Sequence, residues 1–291
     1  MYRIAMALNK KAHIVLNDIT SSVRPMYDRF DKSSEYPSDM FVTSDEAKEL
    51  VDNGTALVVV DVNRPSITEE PQLLKMVKTI VVIDHHRQTN EKIANATLSY
   101  VEPYASSASE LVAEILQYVG DNVKLKSVEA DAMYAGMVID TQNFVVQTGV
   151  RTFEASAYLR RLGAVSTEVL KLFSIPKEVY QAKSDLVNGA FIYKDVAVSL
   201  ADNMTRDLYV SVPQAANDLL TLDGVRGSVV AVKFNDVIRI SARSLGEINV
   251  QVLMEYIGGG GHLTMAGAQL KDVTLEEAKA KICESIDNYK R

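Results

Sequence analysis

Residues 79–90 read TIVVIDHHRQTN, and this stretch decides the fold. Ile80, Val81, Val82 and Ile83 run into Asp84, His85 and His86 with no break between them. A strand wetted on one face alternates polar and apolar side chains, whereas a strand buried on both faces is continuously apolar. The run therefore predicts an inner strand of a parallel sheet. An acid and two imidazoles at its end need compensation where water is excluded, and a cation supplies it.

The same texture surrounds it. ALVVVD (56–61) is a second buried strand and ends on Asp61; AHIVLND (12–18) reads as a third. Helices are predicted over 2–10, over 43–55 with Thr43 or Ser44 as cap and Gly54 as stop, and over 72–78. Further helices follow over 106–120, 127–141 and 151–163. Ser107 and Glu110 have the spacing of a capping box, and Leu111, Val112, Ile115, Leu116 and Val119 form one face. Apolar strands separated by helices predict an α/β doubly wound parallel sheet covered on both faces.

Beyond residue 190 the pattern changes. AFIYKDVAVSLA (190–201) and SVVAVKFNDVIRISAR (228–243) read as hairpins turning at Lys194-Asp195 and Asn235-Asp236. Pro213 opens a helix, and Thr274 with Glu277 caps the last one, over 275–290. Antiparallel strands with helices on one side predict a smaller α+β domain. The expected division is 1–165, a helical linker over 166–189, and 190–291.

Composition narrows the partners. The 291 residues carry a net charge of −7 and no long basic block, so a polymeric nucleic acid is a poor fit and a small phosphorylated ligand a better one. The single cysteine, Cys283, excludes an intrachain disulfide and a multi-thiolate zinc site, and reads as a buried thiol of the last helix. No apolar run is long enough for a membrane span and no signal peptide is visible, so the chain reads as cytoplasmic, without membrane contact.

Two clusters carry chemistry. In open α/β sheets ligands gather beyond the carboxyl ends of the strands, where Asp61 and His85 are expected; Asp140, after the apolar helix AMYAGMVI, could close over them. Carboxylate and imidazole without thiolate suit Mn²⁺ or Mg²⁺, or Fe or Co. Any one of these acids is equally explained as the cap of the next turn. The second cluster is Arg243, Asn249 and the run Gly258, Gly259, Gly260, Gly261, followed by His262. Exposed amides, a guanidinium fork and an imidazole make an anion-binding surface. One glycine alone would do no more than end the preceding helix.

VVIDHH, the upstream VVVD, the downstream VIDT and the distal SARS…GGGGH resemble the DHH phosphoesterase superfamily with its C-terminal associated domain, a RecJ-like architecture. EPYASSASELV, RTFEASAYLRRLGA and ISARSLGEINVQVLMEYIGGGGHLT resemble most closely its GdpP-type cyclic-di-AMP phosphodiesterases. The resemblance implies a two-Mn²⁺ site between the domains, with Asp61 bridging, His85 and Asp140 on one metal, Asp84 in support and His86 near the phosphate. It implies that Arg243, Asn249, the glycines and His262 hold the nucleotide, and that cyclic-di-AMP opens to pApA. A homodimer is implied too, within a parent anchored by upstream membrane helices and carrying a sensor and a cyclase-like domain. A nanoRNase or pAp phosphatase of the same superfamily, or a non-catalytic nucleotide-binding module, are the alternative readings.

Two departures from the family pattern are visible. Val62-Asn63-Arg64-Pro65 stands where this subgroup has Thr-His-Lys-Pro. The family's first motif, His-x-x-x-Asp-x-Asp, is not found before the helix at Met1 or elsewhere. With only three ligands of its own, the chain as given is expected to bind metal weakly and hydrolyse poorly.

Overall fold

The computed structural model describes residues 1–20, 23–120 and 122–289. It forms two compact units, Met1–Ser174 and Ile175–Arg291. Lys290, the last residue of the expected final helix, and Arg291, the end of the expected domain, lie outside the described residues.

The first unit runs α1 (Tyr2–Ala7), β1 (Ile14–Val15), α2 (Arg24–Asp31), β2 (Phe41–Val42), α3 (Ser44–Leu50), β3 (Ala56–Val60), α4 (Leu73–Met76), β4 (Thr79–Asp84), β5 (Leu98–Val101), α5 (Ala108–Leu116), α6 (Ser127–Asp140), α7 (Val150–Arg161) and α8 (Ser166–Leu172). β3, β4 and β5 form a parallel sheet in that order, and β1 pairs with β2 in a separate parallel ladder. β4 is central, which is why its apolar run does not alternate. Ile80 and Val82 pack with Val59, Leu74 and Val77 on one face. Ile83 packs with Ile4, Leu111, Val112 and Leu116 on the other. Completely burying a side chain such as Ile80 contributes about 1.5–3 kcal/mol.

Three local expectations are corrected. The strand over 12–18 shrinks to Ile14–Val15, because Asn17 takes the chain out of the ladder: its Oδ1 accepts the Ser44 N–H at 2.9 Å and its Nδ2 donates to the Glu69 carbonyl at 3.1 Å. Strand β5 was not anticipated; as an outer strand bonded only to β4, Leu98-Ser99-Tyr100-Val101 keeps polar and exposed positions. Ser107 does cap α5 by accepting the Glu110 N–H at 3.0 Å, but the Glu110 carboxylate does not return to it. It accepts instead from the hydroxyls of Ser106 at 2.5 Å and Thr152 at 2.6 Å, tying α5 to α7. Burial decides this, since an acid 1% exposed must collect its donors from the interior.

The second unit runs α9 (Lys177–Asn188), β6 (Phe191–Tyr193), β7 (Val196–Ala201), α10 (Ser211–Leu219), β8 (Gly227–Phe234), β9 (Val237–Ser244), α11 (Val250–Glu255), β10 (Gly260–Gly261), β11 (Met265–Lys271) and α12 (Leu275–Tyr289). Its six-stranded sheet has the order β10-β11-β9-β8-β7-β6 and is antiparallel except for β7 and β8. Lys194 and Asn235 take the positive φ that the tight turns demand, 59° and 53°. Helices cover both faces, not one. α11 and α12 pack against Val198, Val229, Ile238 and Ile240. α9 and α10 pack on the opposite face against Ala197, Val230 and Val232. The cause is the β7–α10–β8 crossover, since a parallel pair cannot be joined by a tight turn and its connection covers a face. Cys283 is half-buried, not buried; the inner positions of α12 are Ala278, Ile282 and Ile286. No helix among the described residues is long and apolar enough to cross a membrane.

Candidate metal centre and glycine loop

β3 and β4 run parallel in register, with Val60 opposite Ile83, so their carboxyl ends bring Asp61 and Asp84-His85 to one edge. Asp61 has a φ of 66°, left-handed backbone that a non-glycine residue adopts at a cost, and its N–H is pinned to the Ile83 carbonyl at 2.9 Å. His85 Nε2 lies 3.3 Å from Asp61 Oδ1 and 3.9 Å from Oδ2 of Asp140, the last residue of α6. Asp61, His85 and His86 each offer a ligand atom within 4.8 Å of the others.

The electrostatics point to a missing positive charge. The hydrogen bond to Asp61 raises the His85 pKa, and Asp140 adds to the shift against burial. Burial and then the Asp61 charge raise the Asp140 carboxyl. Without a cation the cluster therefore tightens its hold on protons. A hard divalent ion fits this donor set of carboxylate and imidazole, with Asp61, His85 and Asp140 or His86 as its protein ligands.

Asp84 does not join this group. It is completely buried and accepts from Asn63 Nδ2 at 2.5 Å, the His86 N–H at 3.2 Å and His86 Nδ1 at 2.8 Å. Asp84 Oδ1 already accepts the His86 N–H, so its contact with the ring is assigned with Nδ1 as donor, and Nε2 faces away from this carboxylate's bond. Asn63, 3% exposed, donates also to the His86 carbonyl at 3.1 Å; both contacts being acceptors, its amide orientation is determined. In the sequence Asn63 stands out only as part of Val62-Asn63-Arg64-Pro65, a departure from the subgroup pattern, with no sign that it holds Asp84.

In the second unit, β11 lies between β9 and β10, with Ala242 opposite Ala266 and Ala266 opposite Gly261. Arg243 and the Gly260–His262 segment therefore lie at the same end of neighbouring strands. Asn249 is the cap of α11: its Oδ1 accepts the Gln251 N–H at 3.1 Å. The His262 N–H closes the β10–β11 turn on the Met265 carbonyl at 2.7 Å, and its ring is exposed.

The four glycines are not equivalent. A Cβ on Gly259 would sit 2.6 Å from that of Ala268, and one on Gly261 would meet the Ala266 Cα at 2.5 Å. These two permit the close approach of β10 to β11. Gly260 has open space and no strained φ. Gly259→Ala is expected to cost roughly 2–4 kcal/mol in thermal unfolding, while Gly260→Ala leaves Tm unchanged. A loss of nucleotide affinity in Gly260→Ala at wild-type Tm would identify a ligand approaching that backbone; unchanged affinity would make the run purely structural.

Residues 3–137 match the DHH family, N-terminal domain, and residues 195–290 match the DHHA1 domain. The chain is 40% identical to the cyclic-di-AMP phosphodiesterase GdpP of Bacillus subtilis (strain 168), over 99% of this chain and 44% of that protein. It thus spans less than half the length of that relative. It is 26% identical to the bifunctional oligoribonuclease and PAP phosphatase NrnA of Thermus thermophilus, over 98% of this chain and 83% of the other. The crystal structure of an exopolyphosphatase-related protein from Bacteroides fragilis superposes with a TM-score of 0.77 at 21% identity, covering 99% and 86% of the two chains. That likeness carries the fold.

Proposed function

Because this chain belongs to the DHH family and carries a DHHA1 domain after its DHH domain, we propose that it is the catalytic part of a metal-dependent phosphodiesterase that converts cyclic-di-AMP to pApA. The observation that carries the reading is the meeting of Asp61, His85 and His86 at the carboxyl ends of two parallel strands, with Asp140 beside them. A divalent cation bound there, Mn²⁺ in this reading, supplies charge compensation at a phosphate and acidifies water. Asp61, His85 and Asp140 hold it, and a second cation needs donors beyond these side chains.

The chain's own groups orient the reaction. His86, anchored through Nδ1 to Asp84, presents Nε2 to the phosphate. Arg243, the glycine segment and His262 take the rest of the nucleotide as an anion-binding domain. Water adds to phosphorus as the P–O3′ bond breaks, and the departing 3′-oxygen takes up a proton, which opens the ring. The active form is a homodimer, and the catalytic part works in the cytoplasm.

A panel of cyclic-di-AMP, pApA and pAp with Mn²⁺, with and without EDTA, tests this. With only three protein ligands the chain should consume cyclic-di-AMP slowly, EDTA should stop it, and pAp should persist. Cleavage of pApA and pAp with cyclic-di-AMP untouched would move the chain to the NrnA-like activity. Binding without turnover of any of the three would make it a nucleotide-binding module.

A further inference from the structure

Arg239 and Arg243 lie four residues apart on β9. Ile238, Ile240 and Ala242 point into the core against α11 and α12, so Arg239, Ser241 and Arg243 face the other way, toward the α10 side. Neither guanidinium forms an ion pair with an acid among the described residues. Arg243 donates only to its own strand, Nη1 to the Ala242 carbonyl at 2.8 Å, and its Nε is buried without a partner. Burial lowers its pKa, and the one titratable group acting on it is Tyr209. Arg239 stands between two rings, its Cζ 5.1 Å from the centre of Tyr209 and 5.3 Å from that of Phe234. Its Nε, too, is buried without a partner.

Phe234, Arg239 and Tyr209 thus form one cluster, with Arg243 on the same face of β9. The two rings lie beside the Arg239 guanidinium, and its fork, the part that matches a phosphate, has no acceptor among the described residues. The two arginine side chains are rooted about 13 Å apart at strand spacing. Gly267, opposite Ser241 on β11, adds no side chain to the floor between them. Partly desolvated, unpaired cations cost stability, and a ligand that supplies the anions repays it.

We propose that Arg239, held between Tyr209 and Phe234, is a second anion anchor beside Arg243, so that the C-terminal unit binds two phosphates and selects a dinucleotide over a mononucleotide. This rests on the cyclic-di-AMP phosphodiesterase reading and deepens it by assigning the dinucleotide preference to one side chain. Arg243 takes one phosphate of either ligand. Arg239 takes the other phosphate, which only the dinucleotide has.

Calorimetric titration of the whole chain in EDTA, where no cleavage occurs, with pApA and with AMP tests this. The wild-type chain should prefer pApA at least about tenfold, and Arg239→Lys should weaken pApA about 10- to 100-fold while moving AMP less than about twofold. Arg243→Lys should weaken both alike. Arg239→Gln, which keeps a planar end group without charge, should reproduce the selective loss and flatten the salt dependence of pApA binding by about one unit of log K per log[salt]. The Tm of each variant is to match wild type; if Arg239→Lys unfolds, Arg239→Gln decides. Equal weakening of pApA and AMP, unchanged pApA binding, or no wild-type preference overturns the proposal. Failure of the phosphodiesterase reading appears separately, as cleavage of pApA and pAp with Mn²⁺ while cyclic-di-AMP stays intact.

Discussion

On the proposed reading, Asp61→Asn is expected to leave the fold intact, remove the small Mn²⁺-dependent rise in Tm, and abolish the slow cyclic-di-AMP hydrolysis, a loss of at least about 10³-fold. Altering an outer partner of a metal ligand costs about 10–100-fold, and loss of a charged ligand exceeds that. Asparagine tolerates left-handed backbone, so the φ of 66° is preserved. Removing the Asp61 charge also relieves Asp140, whose carboxyl it pushes upward. In EDTA at about pH 8, Tm should therefore stay within about 2 °C of wild type or rise.

The same substitution changes how stability follows pH. The folded wild-type chain holds the His85 proton more tightly than the unfolded chain does. That contribution is full below the ordinary histidine value of 6.5 and is lost as pH rises through the higher folded value. The raised Asp140 carboxyl acts in the same direction above its ordinary value of 3.8. Metal-free wild type should thus lose Tm between about pH 6 and about pH 8, and Asp61→Asn should lose less, because both shifts draw on the Asp61 carboxylate. An equal slope, or a retained Mn²⁺ shift, would remove Asp61 from the centre of the site.

The continuously apolar run of β4 correctly reads as a strand covered on both faces, but the same reading of Ala56–Val60 is corrected: β3 is the edge strand of its sheet and leaves Val58 and Val60 exposed. The identical signal was present in the second unit, where Val196–Ala201 and Gly227–Phe234 flank α10, but hairpin turns at Lys194-Asp195 and Asn235-Asp236 drew the whole unit toward an antiparallel reading. Local turn chemistry reports the nearest partner of a strand; only the length and content of the connection report a crossover. β5 was hidden for the opposite reason, as an outer strand needs no apolar run. Around the candidate metal centre, strand ends placed Asp61 and His85 together, because register is a property of the backbone. The partners of Asp84 and Glu110 were not legible, because a buried acid takes its donors from wherever the tertiary structure supplies them.

Asp84 gives the second large effect, and on stability as well as chemistry. Its carboxylate is 0% exposed, without a lysine or arginine partner among the described residues, and is held by Asn63 and by two donors of His86. Asp84→Ala strands the buried Asn63 amide and releases the exposed His86 ring from its anchor, at a cost of roughly 2–5 kcal/mol. For a unit of this size that lowers Tm by about 5–15 °C. Asn63→Ala removes one donor and leaves Asp84 with two, so it should cost about 1–3 kcal/mol. Because the pair shares one buried network, the double variant should be less destabilised than the sum of the two by at least about 1 kcal/mol. Additive losses would mean that Asn63 merely fills space. Asn63→His, which restores the residue expected in this subgroup at that position, should keep a ring N–H for Asp84 but lose the second bond, to the His86 carbonyl. It should therefore fall between wild type and Asn63→Ala in Tm, and a Tm at or below that of Asn63→Ala would show that the pocket around Asp84 is shaped for an amide and not for a ring.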